Sequence, residues 1–158
     1  MRALPLLDRY GGPLVDVGSG GGSPGVPLAF ALPEREVTLL DAQRRKCDFL
    51  RRWAPPNARV VWGRAEEQPL ERWGVALAKA LAQPHVAAEW CLPLVRTGGA
   101  VILWLGEDVD LDRLATVAAQ LGGGGPEEHD GLLVLPKLAA TPPGFPRRPG
   151  MAKKRPLA

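Results

Sequence analysis

An α/β fold, with a mostly parallel sheet and helices on both faces, is what this 158-residue sequence predicts. Short apolar runs alternate along the chain with amphipathic helical segments, so strand and helix take turns throughout. Residues 14–25, Leu-Val-Asp-Val-Gly-Ser-Gly-Gly-Gly-Ser-Pro-Gly, run an apolar strand into a glycine-dense turn, and a short helix follows. That is how a parallel strand ends where the backbone itself must approach a ligand. A second apolar run then ends in an acid, Asp41, about twenty residues past the glycine turn, a spacing that recurs in nucleotide-binding sheets.

Each element follows from its local pattern. After the first strand, which opens at Leu14, the helix covers Val26 to Leu32. Glu36 to Asp41 is a buried second strand. Gln43 to Trp53 is a basic helix whose Cys47, Phe49, Leu50 and Trp53 are spaced to face inward, closed by Pro55-Pro56. Arg59 to Gly63 is a third strand, followed by Arg64-Ala-Glu-Glu67. Val75 to Lys79 is a fourth strand, and Pro84 starts a helix through about Leu94. Thr97-Gly-Gly99 turns the chain into a fifth strand, Ala100 to Leu105. Asp110 to Leu121 is a helix with Asp108 or Asp110 near its start. Gly122 to Pro126 is a loop, and Gly131 to Leu138 the final strand. Pro142 to Ala158 has no apolar periodicity. The sequence thus divides into a single domain, 1–141, and an extended basic arm, 142–158, lying on it.

Composition narrows the function classes. The length allows one domain with a sizeable core, and 46% apolar residues is ordinary for a globular chain. No apolar run reaches the ~18 residues of a membrane span, and Leu4 to Leu7, broken by Pro5, is too short for a signal peptide. Cys47 and Cys91 form no disulfide framework and no zinc spacing, so they are expected to be buried reduced thiols in a cytoplasmic, metal-free protein. The net charge of +3 hides an asymmetry. Beyond Asp130 stand six basic residues and no acid, which leaves the preceding part at −3. A basic tail on an acidic body suits a polyanionic partner; it also suits a solvated, disordered tail.

The glycine turn has two readings. Gly20, Gly22 and Gly25 satisfy the dinucleotide pattern G-x-G-x-x-G, a weak signal in a chain with 19 glycines. Asp16, two residues before the first glycine, would repel a pyrophosphate at the loop mouth and attract the sulfonium and ammonium of S-adenosylmethionine. Pro24 removes a backbone N–H that a pyrophosphate would use. The acid-x-Gly-x-Gly form therefore favours S-adenosylmethionine, with Asp41 placed to accept both ribose hydroxyls. The plain alternative is a glycine-rich turn capping a helix.

With these residues in hand, the sequence resembles the small-subunit ribosomal RNA guanine-N7 methyltransferases, called RsmG or glucose-inhibited division protein B. The family's Asp-Val-Gly-Ser/Thr-Gly-x-Gly-Phe/Leu-Pro-Gly loop is matched by Asp16 to Gly25. Its Leu-Leu-Asp strand end, with a basic pair before Phe-Leu, is matched by Leu39 to Asp41, Arg45-Lys46 and Phe49-Leu50. Arg64 to Glu67 match its Arg-Ala-Glu-Glu. Pro146 to Gly150 and Lys154 to Leu157 match its Pro-Arg-Arg-x-Gly and Lys-Lys/Arg-Pro-Leu tail. The resemblance implies a Rossmann-like, class I S-adenosylmethionine-dependent methyltransferase fold. It also implies that Gly18, Gly20 and Ser23 line the methionine part, Asp41 holds the ribose and Ala65-Glu66 borders the adenine. The arm (Arg147, Arg148, Lys153, Lys154 and Arg155) would take part in the RNA face. The implied partner is ribosomal RNA or the small ribosomal subunit, met by a monomer without membrane or metal.

Three departures stand out. The family carries several dozen further, largely helical residues before its loop, where this sequence has fifteen before Asp16. Ser23 replaces the loop's Phe or Leu. Lys79 replaces an Arg at the end of the fourth strand, keeping charge but losing the bidentate fork. These leave two expectations: a shortened working enzyme, or a weakened or inactive RNA-associated module that keeps the fold.

The residues also bear on the chemistry. Enzymes that methylate exocyclic base amines share an Asp/Asn-Pro-Pro-aromatic motif after the fourth strand, where this sequence has Ala78-Lys-Ala-Leu-Ala82. Guanine N7 carries a free lone pair, so no general base is expected. His85 and His129 read as surface residues. Lys79 reads equally as a cofactor contact or as a partner of a carboxylate such as Glu66. Arg44, Arg45 and Lys46 read as a solvated face, and the five tryptophans as core.

Overall fold

The computed structural model describes residues 2–158. Seven strands form one sheet: β1 (Leu14–Val17), β2 (Val37–Asp41), β3 (Ala58–Trp62), β4 (Trp73–Ala78), β5 (Val95–Trp104), β6 (Glu127–His129) and β7 (Leu132–Pro136). Their spatial order is β3-β2-β1-β4-β5-β7-β6. β1 to β5 pair in parallel, whereas β7 runs antiparallel to β5 and β6. Every residue of β1, β2 and β4 is buried, as central strands covered on both faces require.

Six helices complete the fold: α1 (Leu4–Leu7), α2 (Gly25–Ala31), α3 (Arg44–Trp53), α4 (Pro84–Cys91), α5 (Leu111–Gln120) and α6 (Met151–Lys154). α1, α2 and α3 bury Leu6, Leu28 and Leu50 against one face of the sheet. α4 and α5 bury Ala88, Leu114 and Val117 against the other. The chain order reverses between β1 and β4, and there a doubly wound sheet opens a crevice at its carboxyl edge. No described helix is long and apolar enough to cross a membrane.

The predicted elements are present, with five differences. Leu4–Leu7 forms a helical turn because Pro5 sits in the first turn, where its missing N–H costs nothing. Thr97 to Gly99 is not a turn before β5 but a bulge inside it, for Trp73 pairs with Val95 while Val75 pairs with Ala100. Glu127 to His129, expected as part of a polar stretch, adds the edge strand β6. On α3 only Cys47 and Leu50 face inward, while Phe49 and Trp53 stand in solvent. Of the five tryptophans only Trp73 is fully in the core, where its indole N–H donates to Thr38 Oγ1 at 3.2 Å.

The arm lies on the body. Polar ties dock both the arm and the segment that leads into it. Buried Lys137 donates to Leu92 O (2.6 Å), Val95 O (3.1 Å) and Thr141 Oγ1 (2.8 Å), and burial pushes its pKa down to about 8. Glu71 accepts from the Thr141 N–H at 2.7 Å. Arg147 grips buried Glu89 of α4 with both arms of its guanidinium, at 2.5 and 2.6 Å, and also donates to Arg155 O. Arg113 donates to the Ala158 carbonyl at 2.7 Å. Phe145 and Leu157 pack on the core, and Ala152 of α6 is buried.

Glu89 is buried on α4, and the Arg147 guanidinium is the cation paired with it. Removing the guanidinium leaves an unpaired buried carboxylate, a loss on the scale of about 3–5 kcal/mol. Arg147→Ala is therefore expected to lower the free energy of unfolding by that amount in urea titration, with Arg148→Ala nearly neutral.

Candidate functional site

The glycine loop is built by hydrogen bonds to two strand ends. The N–H groups of Gly18 and Ser19 both donate to Leu40 O of β2, at 2.8 and 3.0 Å. The Gly25 N–H, opening α2, donates to Asp16 Oδ2 at 2.9 Å. A Cβ on Gly25 would lie 2.6 Å from that oxygen, so only glycine lets the helix start this close to the strand. Gly18 has φ +71° and faces the Leu81 side chain, which would collide with a Cβ there. From this turn the backbone bows outward over the strand ends.

Beyond the bow lies a cleft of about 300 Å³, the scale of a small cofactor site. Val17, Gly18, Leu40, Ala65, Leu81 and Trp90 form its apolar lining; Asp41, Gln43, Lys46, Arg64, Glu66 and Lys153 form the polar side. Asp41 is nearly buried at the tip of β2. Its Oδ2 accepts from the Gly20 N–H at 2.9 Å and its Oδ1 from the Gln43 N–H at 2.8 Å. Each oxygen keeps a further lone pair. The Trp90 indole N–H is buried and has no partner among the described residues.

The cleft brings together Gly18, Asp41, Ala65 and Glu66, residues that the family resemblance had assigned to one cofactor. Asp16 is elsewhere: it is buried beneath the loop, not at its mouth, because the Gly25 N–H needs its carboxylate there. Burial pushes the Asp16 carboxyl up to about 6, outweighing the Gly25 hydrogen bond and the Lys79 charge that pull it down. Gly20 takes part through its N–H to Asp41. Ser23 and Lys79 meet each other, Lys79 Nζ to Ser23 Oγ at 3.4 Å, and neither lines the cleft. Glu66 is not Lys79's partner; it accepts from the Gly150 N–H at 3.2 Å and so anchors the arm.

The arm's basic residues divide. Arg147, expected at the RNA face, is committed to Glu89 and is not available to a phosphate. Arg148, Lys154 and Arg155 are exposed. Lys153 lies over the Trp90 ring at 5.6 Å and lines the cleft. Leu81 is a cleft residue that no sequence pattern marked, while Trp90 was expected in the core and Lys153 at the RNA face. Lys153 in particular reaches the cleft only because the arm folds back across α4.

Asp16 makes stability depend on pH. The unfolded chain releases this proton near 3.8 and the folded one near 6, so the folded state holds it over the interval between. The stabilisation is full below about 4 and is lost as pH rises through 6, on the order of 3 kcal/mol. Asp16→Asn keeps an acceptor for Gly25 without the buried charge. Its melting temperature is expected above wild type near pH 7.5, with the gain vanishing near pH 4; calorimetric melts at the two pH values check this.

The family model described as rRNA small subunit methyltransferase G matches residues 1–119. A protein named ribosomal RNA small subunit methyltransferase G from Synechococcus sp. (strain JA-2-3B'a(2-13)) is 39% identical over 90% of this chain and 63% of its own length. One of the same name from Synechococcus elongatus is 37% identical over 97% of this chain and 72% of its own length. One from Pelotomaculum thermopropionicum is 35% identical over 99% and 74%. The chain thus spans between 63% and 74% of these relatives' length. Among solved structures, the antibiotic-resistance methyltransferase Kmr superposes with TM-score 0.64 at 20% identity, over 84% of this chain and 89% of that one. The T. thermophilus 16S rRNA N2 G1207 methyltransferase, in complex with AdoMet and guanosine, gives 0.65 at 18% identity, over 87% of this chain and 38% of that one. These structures share the class I methyltransferase fold. A family match over three quarters of the sequence, on a glycine loop and strand order of this kind, places the chain in the rRNA small subunit methyltransferase G family.

Proposed function

We propose that this protein transfers a methyl group from S-adenosylmethionine to guanine N7 in 16S ribosomal RNA. The observation that carries the reading is the cleft between the glycine loop and Asp41 in a member of this family. The residues present fit the cofactor. The free lone pairs of Asp41 suit the two ribose hydroxyls. Ala65 and Glu66, on a single 3-10 turn after β3, form a shelf for the adenine. The backbone at Gly18 and Gly20, which carry no Cβ, suits the methionine part. When bound, S-adenosylmethionine supplies an electrophilic methyl on a sulfonium.

The acceptor dictates what the rest of the site must do. Guanine N7 is a nucleophile without losing a proton, so the residues after β4, Ala78-Lys-Ala-Leu-Ala82, need supply no base. Their work is to hold the purine in line with the methyl and to keep water out. Lys46, Arg64 and Lys153 put positive charge at the cleft mouth, where phosphates flanking the target would pass. Arg148, Lys154 and Arg155 extend that charge along the arm. The natural substrate is ribosomal RNA or the small subunit, met in the cytoplasm.

The deciding experiment is transfer of labelled methyl to small-subunit particles lacking the modification, with the modified base mapped. Label at a guanine N7 supports the reading. Cofactor binding with no transfer supports a weakened, RNA-associated module instead. Asp41→Ala is expected to cost about 1–3 kcal/mol of cofactor affinity by calorimetry, the scale of a lost buried polar contact. Converting Arg148, Lys154 and Arg155 together to Ala is expected to flatten the salt dependence of RNA binding by about 0.7 per lost phosphate contact, with cofactor affinity unchanged.

A further inference from the structure

α3 carries an arrangement that neither the fold nor the cofactor cleft requires. Its ten residues hold five cations and one acid, Asp48, which is paired to Arg51 at 3.1 Å. Arg44, Arg45 and Lys46 occupy the first turn, with no acid among them. Cations there oppose the helix dipole and repel one another. The opposite face of α3 already buries Cys47 and Leu50, so the exposed face has no packing to do. Yet Phe49 is 48% exposed and Trp53 62%, their rings 6.4 Å apart. Next to the helix start, on the open edge strand β3, Trp62 is 56% exposed and carries the Arg44 guanidinium over its ring at 5.5 Å.

We propose that the α3–β3 edge is a docking surface for unpaired RNA, with Trp53 and Phe49 stacking on bases while Arg45 and Arg52 hold the phosphates between them. Helical spacing sets Arg45, Phe49, Arg52 and Trp53 along one stripe, so cation and aromatic alternate. Single-stranded RNA presents that alternation of charged backbone and flat apolar bases. A protein partner fits less well, because three cations crowd the first turn with no acid among them and a protein interface would have to desolvate them together. A membrane surface fits less well too, because the continuous apolar side of this helix is buried. The stripe also starts at the right place. Gln43 and Lys46, in the same first turn, line the cleft, and Trp53 lies about 10 Å farther along the helix axis. RNA leaving the cleft mouth would run directly onto it.

This proposal rests on the RNA-methylation reading, and the test separates the two. Full-length protein is titrated with fluorescein-labelled single-stranded polyuridylate and polyadenylate, an RNA duplex, polyglutamate and phosphatidylserine vesicles. The expected result is a preference for the single strands. Phe49→Ala/Trp53→Ala should weaken single-strand binding at least about tenfold, the scale of one or two lost base stacks, with the salt slope and cofactor affinity unchanged. Arg45→Ala/Arg52→Ala should instead flatten the salt slope by about 1.4. Arg45→Glu should weaken RNA binding while raising the melting temperature by about 1–3 °C, because it relieves the helix N-terminus. Unchanged RNA affinity in the aromatic double variant overturns the docking surface and leaves the methyltransferase reading standing. So does tighter binding of wild type to polyglutamate or vesicles than to RNA. A wild type that binds cofactor but no RNA of any kind, and transfers no methyl to small-subunit particles, overturns both.

Discussion

The hydrogen bond from the Gly25 N–H to the buried Asp16 carboxylate is the constraint on which the site depends. It ties the start of α2 to a residue of the central strand nine positions earlier. The eight residues between must then loop back from strand to helix, and the first two of them, Val17 and Gly18, line the cleft. The carboxylate is held where burial disfavours its charge, and the helix-opening N–H and the nearby Lys79 offset part of that cost. Asp41 repeats the device one strand away. It accepts from Gly20 and Gln43, so the same group that faces the cleft also holds the far side of the loop. The backbone of the site is thus shaped by two acids before any ligand enters.

The arm illustrates how one residue type can serve two ends. Its bases look alike as a string of charges, but their partners separate them. Arg147 is part of the scaffold, because Glu89 on α4 is buried and needs a bidentate cation. Once that clamp is made, Gly150 reaches Glu66 and α6 lays Lys153 against Trp90. A segment without apolar periodicity therefore becomes a cleft wall. The bases that remain in solvent, Arg148, Lys154 and Arg155, point charge outward on the same segment.

Charge at the cleft mouth is asymmetric for a related reason. Cations from α3, the turn after β3 and the arm converge there, while the acids that line the cleft are occupied: Asp41 with backbone N–H groups and Glu66 with Gly150. A body that is net acidic in sequence thus offers a positive rim where a polyanion would enter.

The sequence by itself determined the strand–helix alternation, the buried central strands and the glycine loop. Each rests on local chemistry: period and apolarity for the strands, φ freedom and close approach for Gly18 and Gly25. That Asp41 and Ala65–Glu66 border one site was implied by the family resemblance, and the structure brings them to one cleft because parallel adjacent strands end at one edge. The sequence did not determine which face of a residue meets its neighbours. Helical spacing offered Phe49 and Trp53 to the core equally with Leu50, and only the position of α3 on the sheet turned them out. Asp16 at the loop mouth and Asp16 beneath it are the same motif; only the path of the loop distinguishes them. Likewise Arg147 and Arg148 are adjacent and identical, and only the buried Glu89, 58 residues away, made one a clamp and left the other in solvent. Such choices belong to tertiary structure because they depend on which distant group is left without a partner.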